Sequence, residues 1–342
     1  MSRTPSRKTI LTVACVLAAA SLGQHSALAA EDTYRVIEVP RLVPNFPVNA
    51  THLNDQAEII GVAEIGQNHL RPVFWSHFVI TDLNEKYGDQ IGAAIGLNDR
   101  SEIVGTGASG PFILRRGRVE LLTGLASGFT PASANAVNNR GEVALQTFPT
   151  DETTRVGRWF RGTVQEVAPA DYNTVVAMNN AGAICGVQVR HSGIEPHITS
   201  YVWANGVLTE IGVLPGGQDA VVFDINDRGQ VIGSSSFRTF IWEAGVSTEI
   251  SLRLPGSGPG QSYAINDSSV IVGTALSKAV IWRDGVTRDL ASLIDRKDPL
   301  YGKVKLLLAQ DINGAGEILA LGGDKNSHQY LLRPMRLPNL NP

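Results

Sequence analysis

One short motif returns seven times along this chain of 342 residues, and it constrains the fold more than any other feature. Each copy places an apolar residue before an asparagine and a short turn, as in INDRGQVIG, which begins at Ile225. The seven asparagines are Asn54, Asn98, Asn138, Asn179, Asn226, Asn266 and Asn313. Successive copies lie 40 to 47 residues apart, the period of a propeller blade with four strands. The sequence therefore predicts an all-β fold, a seven-bladed β-propeller of four-stranded blades.

The fifth copy shows how one unit divides into strands. Val221–Ile225 leads to Asn226, and further strands are expected at 230–234, 239–242 and 246–250. The asparagine can accept a hydrogen bond from the backbone two residues on and so start a turn. Gly229 and Gly245 suit the left-handed backbone that tight hairpins need.

All five tryptophans of the chain fall at the end of the expected third strand of a copy. They are Trp75, Trp159, Trp203, Trp242 and Trp282. One such residue per repeat is typical of packing between neighbouring sheets, which we favour over stacking on a ligand.

The two ends of the chain predict how the ring closes. The seventh copy has only three strands, and its Pro-rich tail, 334–342, makes a poor fourth. Residues 34–39, in contrast, alternate like the fourth strand of the fourth copy. We expect this N-terminal strand to pair into the last blade, so that no sheet edge stays open.

Residues 1–29 have the pattern of a signal peptide. A start with three basic side chains precedes an apolar run, and Ala27, Leu28 and Ala29 give the small-x-small cleavage pattern. The predicted mature chain, 30–342, is a single propeller domain that is exported, to the periplasm or beyond the cell, with no membrane span after cleavage. Its net charge falls from −3 to −6 on loss of the leader. Without a basic block, nucleic acid is not an expected partner.

The fifth copy with its approach, TEIGVLPGGQDAVVFDINDRGQVIGSS from Thr209 followed by TFIW, resembles the HAF family of probable extracellular repeats. The third copy departs from the pattern, with Ala144 and Leu145 where Val-Gly is usual, and the seventh has Gly314 in place of Asp. The resemblance implies an exported bacterial protein and no particular activity.

Candidate binding residues lie in the lengthened loops. Connections between the second and third strands of copies one, three and four are longer than in the other copies, as is the segment between the sixth and seventh copies. Loops of this kind carry function more often than the scaffold does, although neutral insertion is an equal alternative. The candidates are His69, Arg71, Arg155, Arg190, His191, Glu195, His197 and Tyr301.

The inner strands offer few chemical groups. Most of their residues are small or apolar, as at Ala94 and Ala134, and the polar exceptions are His52, Asp224 and Asp311. Both aspartates stand two residues before the asparagine, where each could face the central channel. A hydrogen bond to an adjacent strand is the favoured interpretation.

No spacing typical of a metal site, a cofactor site or a catalytic nucleophile with its base occurs, so we assign no catalytic or metal-binding residues. The one cysteine left after cleavage, Cys185, is expected to be a small buried apolar residue. The sequence favours a monomeric, non-catalytic binding module that holds a glycan, peptide or protein on its loop-rich face. The alternative is a hydrolase or lyase at the mouth of the central channel.

Overall fold

The computed structural model describes residues 33–67, 69–123, 131–147, 154–168, 172–190, 197–323 and 327–335. They form seven antiparallel sheets of four strands each, arranged as the blades of a ring. The predicted seven-bladed propeller is confirmed. The predicted leader, 1–29, and residues 336–342 of the proline-rich tail lie outside the described residues. Pro334 and Met335, the first two residues of that tail, instead extend the third strand of the seventh blade.

The first strand of each blade is the innermost, and these strands contact one another around the ring. They are β2 (Val48–Leu53), β6 (Ala93–Leu97), β10 (Pro131–Val137), β14 (Tyr172–Met178), β18 (Val221–Ile225), β22 (Gln261–Ile265) and β26 (Leu306–Ile312).

The second and third strands form the middle of each blade. The second strands are β3 (Ile59–Gly66), β7 (Ile103–Gly107), β11 (Val143–Thr147), β15 (Ile184–Arg190), β19 (Val231–Ser235), β23 (Ile271–Ala275) and β27 (Ile318–Gly322). The third strands are β4 (His69–Ser76), β8 (Gly110–Arg115), β12 (Val156–Phe160), β16 (His197–Ala204), β20 (Arg238–Glu243), β24 (Lys278–Arg283) and β28 (His328–Met335).

The outermost strands complete the blades. They are β5 (Val79–Asp82), β9 (Arg118–Leu121), β13 (Thr163–Ala168), β17 (Val207–Ile211), β21 (Val246–Glu249), β25 (Val286–Asp289) and β1 (Thr33–Glu38). One short helix, α1 (Leu83–Tyr87), and 3₁₀ turns at Gly88–Gln90 and Leu290–Leu293 lie between blades. Within the described ranges, no helix has both the length and the apolar character needed to cross a bilayer.

The N-terminal strand closes the ring as predicted. β1 pairs antiparallel with β28, so the seventh sheet has the order β1-β28-β27-β26. The long segment between blades 6 and 7 reinforces the closure, because the Asp298 carboxylate accepts a 2.9 Å hydrogen bond from the Val36 N–H. Asp298 therefore has a structural role.

The tryptophans pack between blades, as predicted. Trp75 of blade 1 lies in one apolar cluster with Leu319 and Leu331 of blade 7. Trp242 of blade 5 packs in the same way with Cys185 of blade 4, which is fully buried. Burial also raises the pKa of the Cys185 thiol, so this cysteine is a core residue, as expected.

Two faces follow from the antiparallel order of the strands. The asparagine turns, between first and second strands, lie on the same face as the turns between third and fourth strands, and we call it the turn face. The connections between second and third strands and those between blades lie on the opposite face, the loop face. Innermost strands run from the loop face to the turn face.

Candidate functional site

A closed ring of hydrogen bonds surrounds the channel at its turn-face mouth. The side-chain amide of each motif asparagine donates to the backbone carbonyl of the motif asparagine in the next blade, at 2.8 to 3.2 Å. The last link, from Asn313 to the Asn54 carbonyl, closes the circle at 2.9 Å. Five of the seven asparagines also accept the backbone N–H two residues on, as predicted, for instance Asn226 from Arg228. Asn179 and Asn313 instead accept the N–H four residues on. The motif therefore joins blades as well as turning a hairpin.

A second ring lies one residue further along each turn. Its members are Asp55, Asp99, Asn139, Asn180, Asp227, Asp267 and Gly314. Each side-chain oxygen accepts the backbone N–H of the equivalent residue in the preceding blade, for example Asp99 from the Asp55 N–H at 2.8 Å. Gly314 has no side chain, so the acceptor for the Asp267 N–H is missing at that point.

The turn-face mouth is acidic, and its carboxylates already accept hydrogen bonds from backbone N–H groups. Burial raises the pKa of Asp55, and the carboxylates of Asp99, Asp267 and Asp227 raise it further. Among the described residues, no three histidine, cysteine or carboxylate side chains are grouped so that they could hold a metal ion. The carboxylates of the ring serve to connect blades.

A β-bulge in every innermost strand changes which residues face the channel. The paired register skips one residue, three positions before the motif asparagine, in all seven blades. The bulged residues are Thr51, Ile95, Asn135, Val176, Phe223, Tyr263 and Gln310. A bulge re-aims a side chain that regular alternation would turn away. In six of the seven blades, the bulged residue and the residue after it both line the channel.

These two layers enclose a cavity of about 260 Å³ on the loop-face side of the asparagine ring. All the bulged residues except Ile95 line it, together with the residue that follows each bulge. Its polar and aromatic lining residues are Thr51, His52, Asn135, Phe223, Asp224, Tyr263, Gln310 and Asp311. The rings of Phe223 and Tyr263 lie side by side, with centroids 6.3 Å apart. Ala94 and Ala134, expected near the channel, are instead buried in the core between blades.

The sequence left two roles open for Asp224 and Asp311, a position facing the channel and a hydrogen bond to an adjacent strand. The structure shows both. Each bonds an adjacent strand: Asp224 accepts the Ile265 N–H at 2.9 Å, and Asp311 accepts the Leu53 N–H at 2.8 Å. Each also accepts the N–H of the residue that follows it. Both nevertheless line the same cavity.

The burial of these two carboxyls changes their acidity. Burial raises the pKa of Asp224 to about 7. It raises the pKa of Asp311 to about 8, and the nearby Asp224 carboxylate contributes to that shift. The pair therefore titrates close to neutral pH.

His52 and Gln310 each have a side-chain atom that is able to form a further hydrogen bond. Burial lowers the pKa of His52 to about 4, so its ring is neutral at physiological pH. Its Nδ1 and the Gln310 Oε1 are buried and have no hydrogen-bond partner within the described part of the chain. Buried polar atoms normally have one.

The predicted loop-face residues are distributed over the rim. His69 and Arg71 lie on β4 of blade 1, and the His69 ring contacts the Gln67 carbonyl at 3.0 Å. Arg155 forms a two-pronged ion pair with Glu166 in its own blade, at 2.6 and 2.5 Å. That guanidinium is therefore already engaged.

The remaining loop-face candidates are only partly described. Tyr301 is exposed between blades 6 and 7. Arg190 and His197 are paired across β15 and β16, but their side chains are outside the described residues, as are His191 and Glu195 entirely. Asp224 and Asp311, in contrast, line the same cavity.

The channel residues contributed by the bulges were missed in the sequence. A signal for them exists in the second strand, where a glycine stands opposite the residue before the bulge, as Gly273 does opposite Ser262. A Cβ at Gly273 would collide with the Gln261 carbonyl oxygen. Glycine inside a strand marks such a bulge or close backbone approach.

No protein-family model matches the chain, and no curated protein matches its sequence. Solved structures do resemble it. The β-propeller domain of the Trilobed protease from Pyrococcus furiosus, described as having an open velcro topology, aligns with a TM-score of 0.51 at 11% identity, covering 86% of this chain and 99% of that one.

Two further structures align over most of both chains. Oligogalacturonate lyase in complex with manganese has a TM-score of 0.57 at 10% identity, covering 90% of this chain and 97% of that one. YCF48 bound to D1 peptide has a TM-score of 0.53 at 11% identity, with 92% and 99% covered. At such identities the likeness shows the propeller fold alone, a fold that these names associate with both catalysis and binding.

Proposed function

We propose that this propeller is a non-catalytic binding module whose ligand enters the central channel from the loop face. The observation that supports this is the bulge in every innermost strand, which presents two layers of side chains to one cavity. A small concave site with an aromatic pair and a few polar groups is typical of ligand binding. The ligand class we favour is a glycan or peptide end that inserts into the channel.

The bonding of the carboxylates supports binding over catalysis. Each of the four oxygens of Asp224 and Asp311 accepts a backbone N–H. A general base needs an oxygen within hydrogen-bond reach of the proton that it removes. These carboxylates are held in place as links between blades.

A hydrolase or lyase remains the second candidate, because one observation favours it. Two carboxyls with pKa values near 7 and 8 share a cavity. Groups that titrate near the working pH are suited to general acid–base catalysis, and such perturbed pairs cluster at functional sites.

The experiment that separates these functions is a screen of defined glycans and peptides against the wild type, followed by two variants. Phe223→Ala with Tyr263→Ala removes the aromatic pair, and Phe78→Ala removes an exposed turn-face phenylalanine as the control. We expect the ligand to be lost by the first variant and kept by the second. Retention by both would contradict a channel site.

Mass spectrometry of the bound ligand decides about catalysis. An unchanged ligand after prolonged incubation supports binding alone. Conversion that disappears in an Asp224→Asn, Asp311→Asn variant would replace our proposal by the second candidate.

The loop face itself is tested with Arg71, Arg155 and Arg190 changed to glutamine. If the ligand contacts that rim as well, this triple variant binds it more weakly while unfolding at nearly the wild-type temperature. Unchanged affinity would confine the site to the channel.

We further propose that the chain is an exported member of the HAF family, on the strength of its seven motif copies and the signal-peptide pattern of residues 1–29. N-terminal sequencing of protein from the cell envelope should begin at Ala30 or within a residue or two. A chain that keeps Met1 and stays in the cytoplasm would contradict export.

A further inference from the structure

A basic groove of about 670 Å³ lies on the turn face between blades 2 and 3, away from the channel. Turns of both blades supply its arginines: Arg100, Arg115, Arg116, Arg118, Arg140 and Arg161. Glu102 and Glu120 are the acidic residues in its lining. The groove therefore carries a local positive charge on a protein whose net charge is negative.

The arginines of the groove differ in how they are bonded. Arg115 pairs with Glu120, its Nε lying 2.9 Å from the carboxylate. Arg140 pairs with Glu142 at 2.9 Å. Arg100 donates to the Asn139 carbonyl at 2.8 Å.

Within the described part of the chain, the other three guanidinium groups make no hydrogen-bonded ion pair, although, after Arg115, Arg118 and Arg116 are near enough to Glu120 to help lower the pKa of that carboxyl. Arg116 and Arg118 are exposed, and neither makes an ion pair with a described residue. Arg161 is exposed and lies over the ring of Phe160, 4.9 Å from its centroid, without an acidic partner in the described chain. Three guanidinium forks, each suited to two-pronged carboxylate binding, thus line the groove, two from blade 2 and one from blade 3.

We propose that this groove binds an acidic peptide segment, a short stretch rich in aspartate or glutamate. Flexible carboxylate side chains can reach guanidinium groups that stand on separate turns. The proposal is independent of the channel site.

The lining of the groove favours a peptide over an acidic polysaccharide. Sugar recognition normally uses an open aromatic face and hydrogen-bonding groups for hydroxyls. Of the two aromatic residues here, Trp159 is buried and Phe160 is covered by Arg161. Apart from arginines and two glutamates, the polar side-chain group of the lining is the Trp159 indole N–H, which is buried. The groove supplies charge and little else.

The test uses the full mature protein and a fluorescein-labelled hexaglutamate peptide in fluorescence anisotropy, with a hexaglutamine peptide as the neutral match. Arg116, Arg118 and Arg161 are changed together to glutamine. The control changes Arg253, Arg296 and Lys297, exposed on the loop face, to glutamine and so alters net charge equally. Hexaglutamate affinity should fall about ten-fold in the groove variant, as expected for three exposed ion pairs. It should stay at the wild-type value in the control.

Further arms separate the sources of negative charge. Hexaglutamate binding should weaken as salt rises, and an oligogalacturonate of similar charge and inorganic phosphate should compete poorly. Equal losses in the groove variant and the control would overturn the proposal, since bulk charge would then explain binding. Tight oligogalacturonate binding with no hexaglutamate binding would overturn the assignment to a peptide. Because all the substituted residues are exposed, unfolding curves should coincide for the three proteins.

Discussion

The two layers of the central channel were built from the same repeat, yet they have diverged in opposite ways. At the turn-face mouth, the motif asparagine is the same in every blade, and its side chain makes the same bond to the next blade seven times. Three residues earlier, the bulged position is Thr, Ile, Asn, Val, Phe, Tyr or Gln. The first layer holds the ring together, and the second lines the cavity with a different residue from each of six blades.

This difference teaches how a symmetric fold can hold an asymmetric site. The bulge is structural and recurs in every blade, so it fixes where the side chains point. The identity of each side chain is then free to vary, because the backbone bonds of the bulge do not depend on it. The seven-fold repeat is therefore broken by side-chain identity in the cavity, where Phe223, Asp224, Tyr263 and Asp311 supply its aromatic and acidic groups.

The largest expected effect tests the two layers within one strand. Asn138 is buried, accepts the Arg140 and Glu142 N–H groups, and donates to Asn179 of the next blade. Asn138→Ala should cost about 3 kcal/mol of unfolding free energy, because several buried partners lose their bonds. Asn135→Ala, three residues earlier in the bulge layer, should cost under about 1 kcal/mol. Denaturant unfolding measures both, and equal losses would contradict the division of roles.

The next largest effect concerns the glycine opposite the bulge. Gly273→Ala should destabilise the protein by roughly 2–3 kcal/mol, because the new Cβ would overlap the Gln261 carbonyl and push the innermost strand of blade 6 inward. The matched control is Gly212→Ala, since Gly212 is exposed and a Cβ there meets nothing. Thermal unfolding of the pair checks this, and similar melting temperatures would show that the close approach is not required.

Blades 3 and 7 show how the fold copes without that glycine. They place Leu145 and Ala320 at the equivalent position. Among the described strands, both of these blades have a second register shift earlier in the first strand, at 131–133 and 306–308. The loss of the glycine in the third copy of the motif thus coincides with an additional irregularity in the first strand of its blade.

The sequence predicted the architecture well, because the repeat and the N-terminal strand carry that information locally. Strand positions in blade 5 were correct to within a residue, and the closure by β1 was confirmed. The channel was predicted poorly, since regular alternation places Phe223 and Tyr263 away from it. The bonds between blades were also missed, because residues that are 40 to 47 positions apart must come together before an amide can reach a carbonyl. The basic groove was also missed, because its arginines come from two blades and are brought together only by the fold.

A third effect distinguishes the channel layer by its response to pH. An unfolded aspartate ionises near pH 4, whereas burial holds the pKa of Asp224 at about 7 and of Asp311 at about 8. From about pH 4 up to these raised pKa values, the native protein keeps protons that the unfolded chain has released. The free energy of unfolding therefore falls as pH rises through that range. His52 acts oppositely below about pH 6.5, because its pKa is lowered to about 4 and the unfolded chain takes up the proton first.

Between pH 6.5 and 8.5, the contribution of the two aspartates to stability can therefore be measured without that of His52. Over this range, the wild type should lose roughly 2–3 kcal/mol more stability than an Asp224→Asn, Asp311→Asn variant. Urea unfolding at several pH values measures the difference. Parallel stability curves for the two proteins would mean that these carboxyls titrate normally in the folded state.

The smallest effect would repair the one break in the acidic ring. Gly314 leaves the Asp267 N–H without the acceptor that its equivalents have, and an asparagine there could accept it through Oδ1. The new Nδ2 could donate to Asp55, as Asn180 Nδ2 donates to the Asp227 carboxylate at 2.8 Å. The new Cβ would lie 3.0 Å from the Asp55 carboxylate oxygens, so Asp55, whose side chain is flexible and exposed, has to shift slightly.

Gly314→Asn should therefore be more stable than Gly314→Ala by about 0.5–1 kcal/mol, the usual net value of a hydrogen bond. Both variants introduce the same Cβ and the same loss of backbone freedom in the unfolded chain, so their difference reports the added bonds alone. Equal melting temperatures would mean that the outer ring orders the turns without stabilising the closed propeller, and that the asparagine ring alone joins the blades at this mouth.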